Sequence, residues 1–303
     1  MKHEIHRWTS LPEQTKFTCQ FDKKWVAERL AELKNNKNLL VNPNEIIIQT
    51  NTLPEFDAIF QNIKTNPGFV LIQFGENLND QELRLLYAFI SRGIGTINDR
   101  YGYFFDVVDQ GLDYTKEVIP VSKTSSSTGY HTDSTAKEYF PDIVGLLCLQ
   151  PGHKGGASQI TNAADVFEYI QDNFPQALIE LLKPVIRDVI TPGTINNYEA
   201  IRKNAFPIFS LDDDRFTFRY MRYWIESAHL KTNVNLSEAL LSGLNAIDVF
   251  FAKPQNTIEF LMKRGDMLFL NNRFLCHNRT EFENDISSSH VRKLVRTWVN
   301  FEK

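Results

Sequence analysis

The chain has 303 residues, 42% of them hydrophobic, enough for a substantial core in one large domain or two smaller ones. A net charge of -4 excludes a global basic field that would gather nucleic acid or anionic membrane. Three widely spaced cysteines (Cys19, Cys148, Cys276) form no CxxC pair and fit a reducing cytoplasm, while neither a signal-peptide core nor a run of about 18 apolar residues is present.

In the N-terminal third, helical and strand patterns alternate. Phe21 to Leu33 reads as an amphipathic helix with Asp22 near its start, and Glu45 to Thr50 as a short β-branched run. Thr52 to Thr65 is helical again, with Pro54 tolerated in its first turn. Gly68 to Phe74 is an apolar run of strand length, and Asn79 to Ser91 a capped helix with Leu83, Leu86 and Phe89 on one face. After Gly95, short strand-like runs punctuated by Gly, Pro and Asp take over. They cover 143–149, 157–161, 206–210, 215–219, 257–261, 267–270 and 293–301, with helices at 163–173, 176–182 and 237–251. Many short strands of this kind point to a β-sandwich or jelly roll. The expected architecture is one α+β domain over 1–303, a double-stranded β-helix (jelly roll) core covered by helices. Its N-terminal part, 1–95, is mixed helix and strand, and 190–235 is a candidate lid insertion.

The chemistry centres on Tyr130-His131-Thr132-Asp133. In an extended segment side chains alternate faces, so His131 and Asp133 project to the same side. A distant His277, following the apolar run that ends at Leu270, supplies a third nitrogen or oxygen donor. Two imidazoles and a carboxylate are the donor set of the facial triad that holds Fe(II) and leaves positions open for reactants. Alone, an HxD is a weak signal. Its bland reading is a polar strand end in which Asp133 caps a turn and His131 packs.

The closing strand adds weight. Arg292, Leu294, Arg296 and Trp298 share one face, and the apolar Val295, Val299 and Phe301 on the other suggest burial on both sides. Two inward guanidiniums are costly unless each meets an anion, and the planar fork of arginine suits a carboxylate. The alternative is a solvated edge strand.

Taken together, His131-x-Asp133, Gly155-Gly156-Ala157-Ser158, Asn272-Arg273-x-x-Cys276-His277-x-Arg279-Thr280-x-Phe282 and Arg292-x-x-x-Arg296-Thr297-Trp298 resemble a known family. It is the TauD/TfdA superfamily of Fe(II)/2-oxoglutarate-dependent dioxygenases, and the resemblance covers roughly residues 67 to 301. Thr124-Ser125-Ser126-Ser127 and the Asn-Arg before His277 are reminiscent of the clavaminate-synthase-like branch, many of whose members carry HxE where this chain has His-Thr-Asp. The resemblance implies that His131, Asp133 and His277 ligate Fe(II). It implies that Arg292, assisted by Ser158, pairs with the distal carboxylate of 2-oxoglutarate. Arg296 would approach an acidic group of the substrate, or else form a salt bridge beside the metal ligands.

The implied reaction consumes 2-oxoglutarate and O2, releases succinate and CO2, and hydroxylates an unactivated C–H of a small polar metabolite. The branch points to a free amino acid or a derivative. A carboxylate at Asp133 argues for hydroxylation over halogenation, whereas desaturation or cyclisation would use the same ligands. On the substrate side, Ser126, Ser127 and Tyr130 precede the metal segment, and Arg219 to Glu226, Trp224 included, reads as an aromatic and ionic lid over a small zwitterion, with Arg222 or Glu226 addressing its charges. The bland reading there is a polar strand with aromatics at the surface. Two other functions compete: a zinc hydrolase on the same triad, which leaves the arginine pair unexplained, and a non-catalytic jelly-roll module that binds or senses metal. The expected partner is a small molecule, with no nucleic acid and no membrane, and the oligomeric state stays open.

Overall fold

The computed structural model describes residues 6–302 apart from 47, 49–53, 75–76, 112–120, 135, 189–196, 213–214, 286 and 289. The N-terminal region carries α1 (Gln14–Phe17), β1 (Thr18–Gln20), α2 (Lys23–Leu33), α3 (Pro54–Lys64), β2 (Phe69–Gln73) and α4 (Asp80–Ile94). Next come β3 (Thr96–Ile97), β4 (Phe105–Val108), β5 (Ile143–Gln150), β6 (Lys154–Gly155), β7 (Ser158–Asn162), α5 (Ala163–Asn173) and α6 (Pro175–Leu181). A middle section holds β8 (Val185–Ile186), α7 (Tyr198–Lys203), β9 (Ala205–Phe206), β10 (Phe209–Asp212), β11 (Arg215–Phe218), α8 (Arg222–Thr232) and α9 (Glu238–Phe251). β12 (Ile258–Phe260), β13 (Asp266–Asn271), β14 (Leu275–Arg279), β15 (Phe282–Glu283) and β16 (Lys293–Asn300) close the fold.

Local chemistry explains the element boundaries. Asp22 caps α2 by accepting from the Trp25 amide at 2.8 Å, and Ser237 caps α9 through the Leu240 amide at 3.1 Å. At α4, Asn79 and Glu82 exchange side-chain and backbone bonds, each 3.0 Å, in a full capping box. Three expectations change. Glu45 ends a 3-10 turn (Pro43–Glu45), not a strand, and part of the 45–50 run lies outside the described residues. The 206–210 run is broken into β9 and β10 around Pro207, which has no N–H to give a ladder. The polar stretch after Arg219 turns into the helix α8 at Arg222.

The larger sheet runs β1-β2-β13-β5-β16-β3, with β4 also paired to β16. β1 and β2 are parallel, and every other pair in it is antiparallel. A smaller sheet, β12-β7-β14, shares a core with it: Leu268, Leu270, Cys148, Leu294 and Trp298 pack in one cluster with Ile160 and Leu275. The opposite face of the larger sheet (Ile143, Leu147, Phe269, Val295, Val299) packs on Phe56 and Ile59 of α3 and Leu83, Leu86 and Ile90 of α4. Side-chain alternation in β16 therefore works as expected, with both faces buried. The result is a jelly-roll core with helices over its larger sheet. Among the described residues, no helix is long and apolar enough to cross a membrane.

Candidate metal centre

The segment at His131 is stitched between two neighbours. The His131 amide donates to the His277 carbonyl at 3.0 Å, and the His277 amide returns the bond to the His131 carbonyl at 2.9 Å. On its other side the Thr132 amide donates to the Tyr220 carbonyl at 2.9 Å, while the Tyr220 amide donates to the Thr132 hydroxyl at 3.0 Å. Asn272 then brackets Asp133: its carbonyl oxygen accepts from the Asp133 amide at 2.8 Å, and its NH2 donates to the Asp133 and Pro141 carbonyls at 3.1 Å each. Fully buried, Asn272 spends its amide on fixing the backbone under the carboxylate.

This stitching brings His131, Asp133 and His277 together, with one donor atom from each lying within 4.8 Å of the others. Asp133 Oδ1 is 3.5 Å from His131 Nε2 and 3.6 Å from His277 Nε2. His131 Nδ1 lies 2.8 Å from the Gly129 carbonyl, which makes Nδ1 the donor to that oxygen and turns Nε2 toward Asp133. Burial, against the opposing pull of the Asp133 carboxylate, pushes the His277 imidazole down to about 3, so it is neutral at physiological pH. Burial would raise the Asp133 carboxyl, but the Arg296 guanidinium and the two imidazoles outweigh it and hold it well below the usual carboxylate range. One carboxylate oxygen and two imidazole nitrogens converge with no thiolate. That donor chemistry fits a divalent cation such as Fe(II) or Zn(II).

Arg292, at the entry to β16, is 6% exposed, and among the described residues no carboxylate pairs with it. Its guanidinium lies 5.1 Å from the Phe282 ring centroid; burial lowers its pKa to about 10, leaving it cationic at neutral pH. It lines a cavity of about 490 Å³ together with Cys148, Met262, Leu294 and Gly156. Gly156 has φ +74°, and a Cβ there would stand 3.2 Å from Arg292 Nε, so glycine suits both the turn and the close approach. Ser158, also buried, begins β7 opposite Arg279 of β14. A buried cation with no counter-ion among the described residues, beside a cavity, has the chemistry to pair with an anion.

Of the two expectations for Arg296, the contact present is the salt bridge: NH1 lies 3.2 Å from Asp133 Oδ2. Ser127 donates to Asn278 Oδ1 at 3.1 Å. Tyr130 does not face the cluster. Alternation turns it away from His131, its ring stacks on Phe251 at 4.5 Å, and its hydroxyl meets Thr257 at 2.8 Å. Arg222 is also engaged elsewhere, bonding Glu226 at 2.6 Å and Asp248 and Asn245 at 3.0 Å each, which joins α8 to α9. Trp224 packs with Met221, whose backbone bridges His131.

Three residues that pattern reading left without a role complete the neighbourhood. Trp298 donates from Nε1 to Asp133 Oδ2 at 2.6 Å; its place on the Arg296 face was the available signal. Asn272 holds the Asp133 backbone, as described. Arg279 gathers the carbonyls of Thr124, Ser125 and Ser126 at 2.9, 3.1 and 2.7 Å, anchoring the loop before the metal segment.

Two facing sheets with a His-x-Asp…His cluster against their shared core define a jelly-roll protein of the mononuclear metal class. The family model described as "Taurine catabolism dioxygenase TauD, TfdA family" matches residues 57–298, and the chain belongs to that family. It is 25% identical over 238 residues to FR-33289 synthase of Streptomyces rubellomurinus, covering 75% of this chain and 66% of the relative. It is 29% identical over 170 residues to uridine-5'-phosphate dioxygenase of a Streptomyces species, covering 55% of this chain and 60% of the relative. The chain thus spans just under two thirds of these curated relatives. Among solved structures, asparagine oxygenase in complex with Fe(II), 2S,3S-3-hydroxyasparagine and succinate superposes with a TM-score of 0.66 at 16% identity, covering 94% of this chain and 93% of that one. The non-heme iron oxygenase OrfP in complex with Fe, succinate and (3S)-hydroxy-L-Arg gives 0.66 at 15%, covering 94% of each chain. These likenesses establish a shared fold.

Proposed function

We propose that the protein is an Fe(II)- and 2-oxoglutarate-dependent dioxygenase that hydroxylates an unactivated C–H of a small polar metabolite, a free amino acid or derivative. O2 is the second co-substrate, and succinate and CO2 are released. The observation that carries this reading is the combination of a His, carboxylate, His cluster with a buried arginine, at a cavity, that no carboxylate among the described residues pairs with. A zinc hydrolase would have no use for that arginine. His131, Asp133 and His277 hold the metal; Arg292, with Ser158, takes the distal carboxylate of 2-oxoglutarate. Bound together, iron and 2-oxoglutarate supply the oxidant, and the protein supplies position and exclusion of water.

Arg296 stands on the Asp133 side with donors left over for a substrate anion, and Ser127 lies on the loop that Arg279 anchors. Trp224, with Met221, forms an apolar wall beside the metal segment, whereas Tyr130 and Arg222 act as framework through α9. The proposed lid, 190–235, lies outside the described residues at 190–196 and 213–214; its described part carries α7 and α8. The amino-acid reading is supported by the hydroxyasparagine and hydroxyarginine bound in the two structural neighbours.

The test is anaerobic reconstitution. Adding Fe(II) and 2-oxoglutarate should give a weak visible charge-transfer band, absent in Arg292→Ala, and a screen of free amino acids should reveal substrate-stimulated succinate release. Turnover with zinc and no detectable 2-oxoglutarate binding would overturn the proposal.

A further inference from the structure

We infer that Trp298 is a positioning residue whose indole N–H restricts Asp133 to offering one carboxylate oxygen to the metal. The inference rests on the metal reading above. Its basis is the asymmetry of Asp133. Only Oδ1 faces the two imidazole nitrogens, at 3.5 and 3.6 Å, whereas Oδ2 accepts from Trp298 Nε1 at 2.6 Å and from Arg296 at 3.2 Å. An indole N–H can only donate, and a bond to an ionised acceptor is short and strong.

The indole has little freedom to leave. Trp298 is 8% exposed, its backbone pairs with Val144 of β5, and its carbonyl accepts from the Asn98 amide at 2.8 Å. Tyr101 meets its ring edge-on at 5.4 Å, and the Arg296 guanidinium covers it at 5.1 Å. Arg296 makes the longer of the two contacts and has further donors that an anion can recruit. The indole has one donor and one partner.

Coordination arithmetic gives this contact its purpose. A six-coordinate ion held by three protein atoms keeps three positions open, which is what a chelating 2-oxo acid and O2 together need. If Oδ2 turned inward as well, the carboxylate would take a fourth position and leave two. Trp298 thus protects the capacity of the centre to hold both co-substrates, a task that falls to groups behind the ligands in metal sites generally.

Mn(II)-loaded protein without 2-oxoglutarate offers a readout independent of turnover, the number of exchangeable waters from water-proton relaxation. The wild type should show about three. Trp298→Phe should show about two, a drop of roughly one third in inner-sphere relaxivity. Site-specific benzothienylalanine at Trp298 removes the N–H while keeping the ring outline, and takes the place of the Phe variant if that one does not fold. Site-specific 7-azatryptophan retains the donor and should restore the wild-type number. An unchanged water count in the donor-less variants, with His131→Ala still losing Mn(II), would sink the inference while sparing the metal centre. Wild-type Mn(II) affinity in His131→Ala would sink the metal reading, and this inference with it.

Discussion

His277 is where acid should first be felt. Its folded-state pKa is depressed, to about 3, whereas the unfolded imidazole titrates near about 6.5. Between those values the unfolded chain binds the extra proton, so the stabilisation is complete above pH ~6.5 and declines as pH falls. At pH 5 the loss is on the order of 2 kcal/mol. Asp133 has the same sign but a lower window, since its stabilisation is present above the unfolded carboxylate value of about 3.9 and fades on further acidification. Metal-free wild type should therefore lose more melting temperature between pH 7 and pH 5 than His277→Gln, measured by circular dichroism. Equal losses would remove His277 as the source. At this scale the sequence was informative because the donors declare their chemistry by type: an HxD, a later His and an inward-facing Arg pair. The Trp298–Asp133 bond was not legible, because it joins residues 165 positions apart and depends on how two segments cross.

Asn272 shows how one side chain can govern an element. Its three hydrogen bonds to the Asp133 and Pro141 backbone hold an extended segment that belongs to no regular strand. Asn272→Ala should cost about 1–3 kcal/mol by orphaning a buried amide, and should also weaken Co(II) binding, read by titration of the d–d absorption. A variant that lost stability but kept Co(II) affinity would make Asn272 structural only. Most elements were legible because caps and breakers mark them: Asp22, Asn79 and Ser237 each sit where a helix begins. Helix α8 was not. Met221 at its N-cap offers no side-chain bond, and its polar and aromatic residues lack a clean apolar stripe. Tertiary partners hold it instead: the Asp188 carboxylate accepts from Ser227 at 2.7 Å and Lys231 at 2.6 Å, and Arg222 reaches Asp248.

Across the whole molecule, β13 and β5 form the most sheltered part of the larger sheet, paired on both edges and packed on both faces. Their amides should exchange slowest in native-state hydrogen exchange, with α7 and α8, nearer the surface, opening earlier. Slower exchange in α7 and α8 than in β13 would contradict that order. The jelly-roll class was readable from many short strands, but the neighbour order β2-β13-β5-β16 was not, since strand pairing is settled by the packing of distant segments. β16 carries a last consequence. Arg292 immediately precedes β16 and Arg296 lies within it, with a register shift at Lys293/Leu294 between the two. The guanidinium beside the cavity and the one against the metal carboxylate thus hang from a single short stretch of backbone, and that local irregularity helps set how the first is aimed relative to the second.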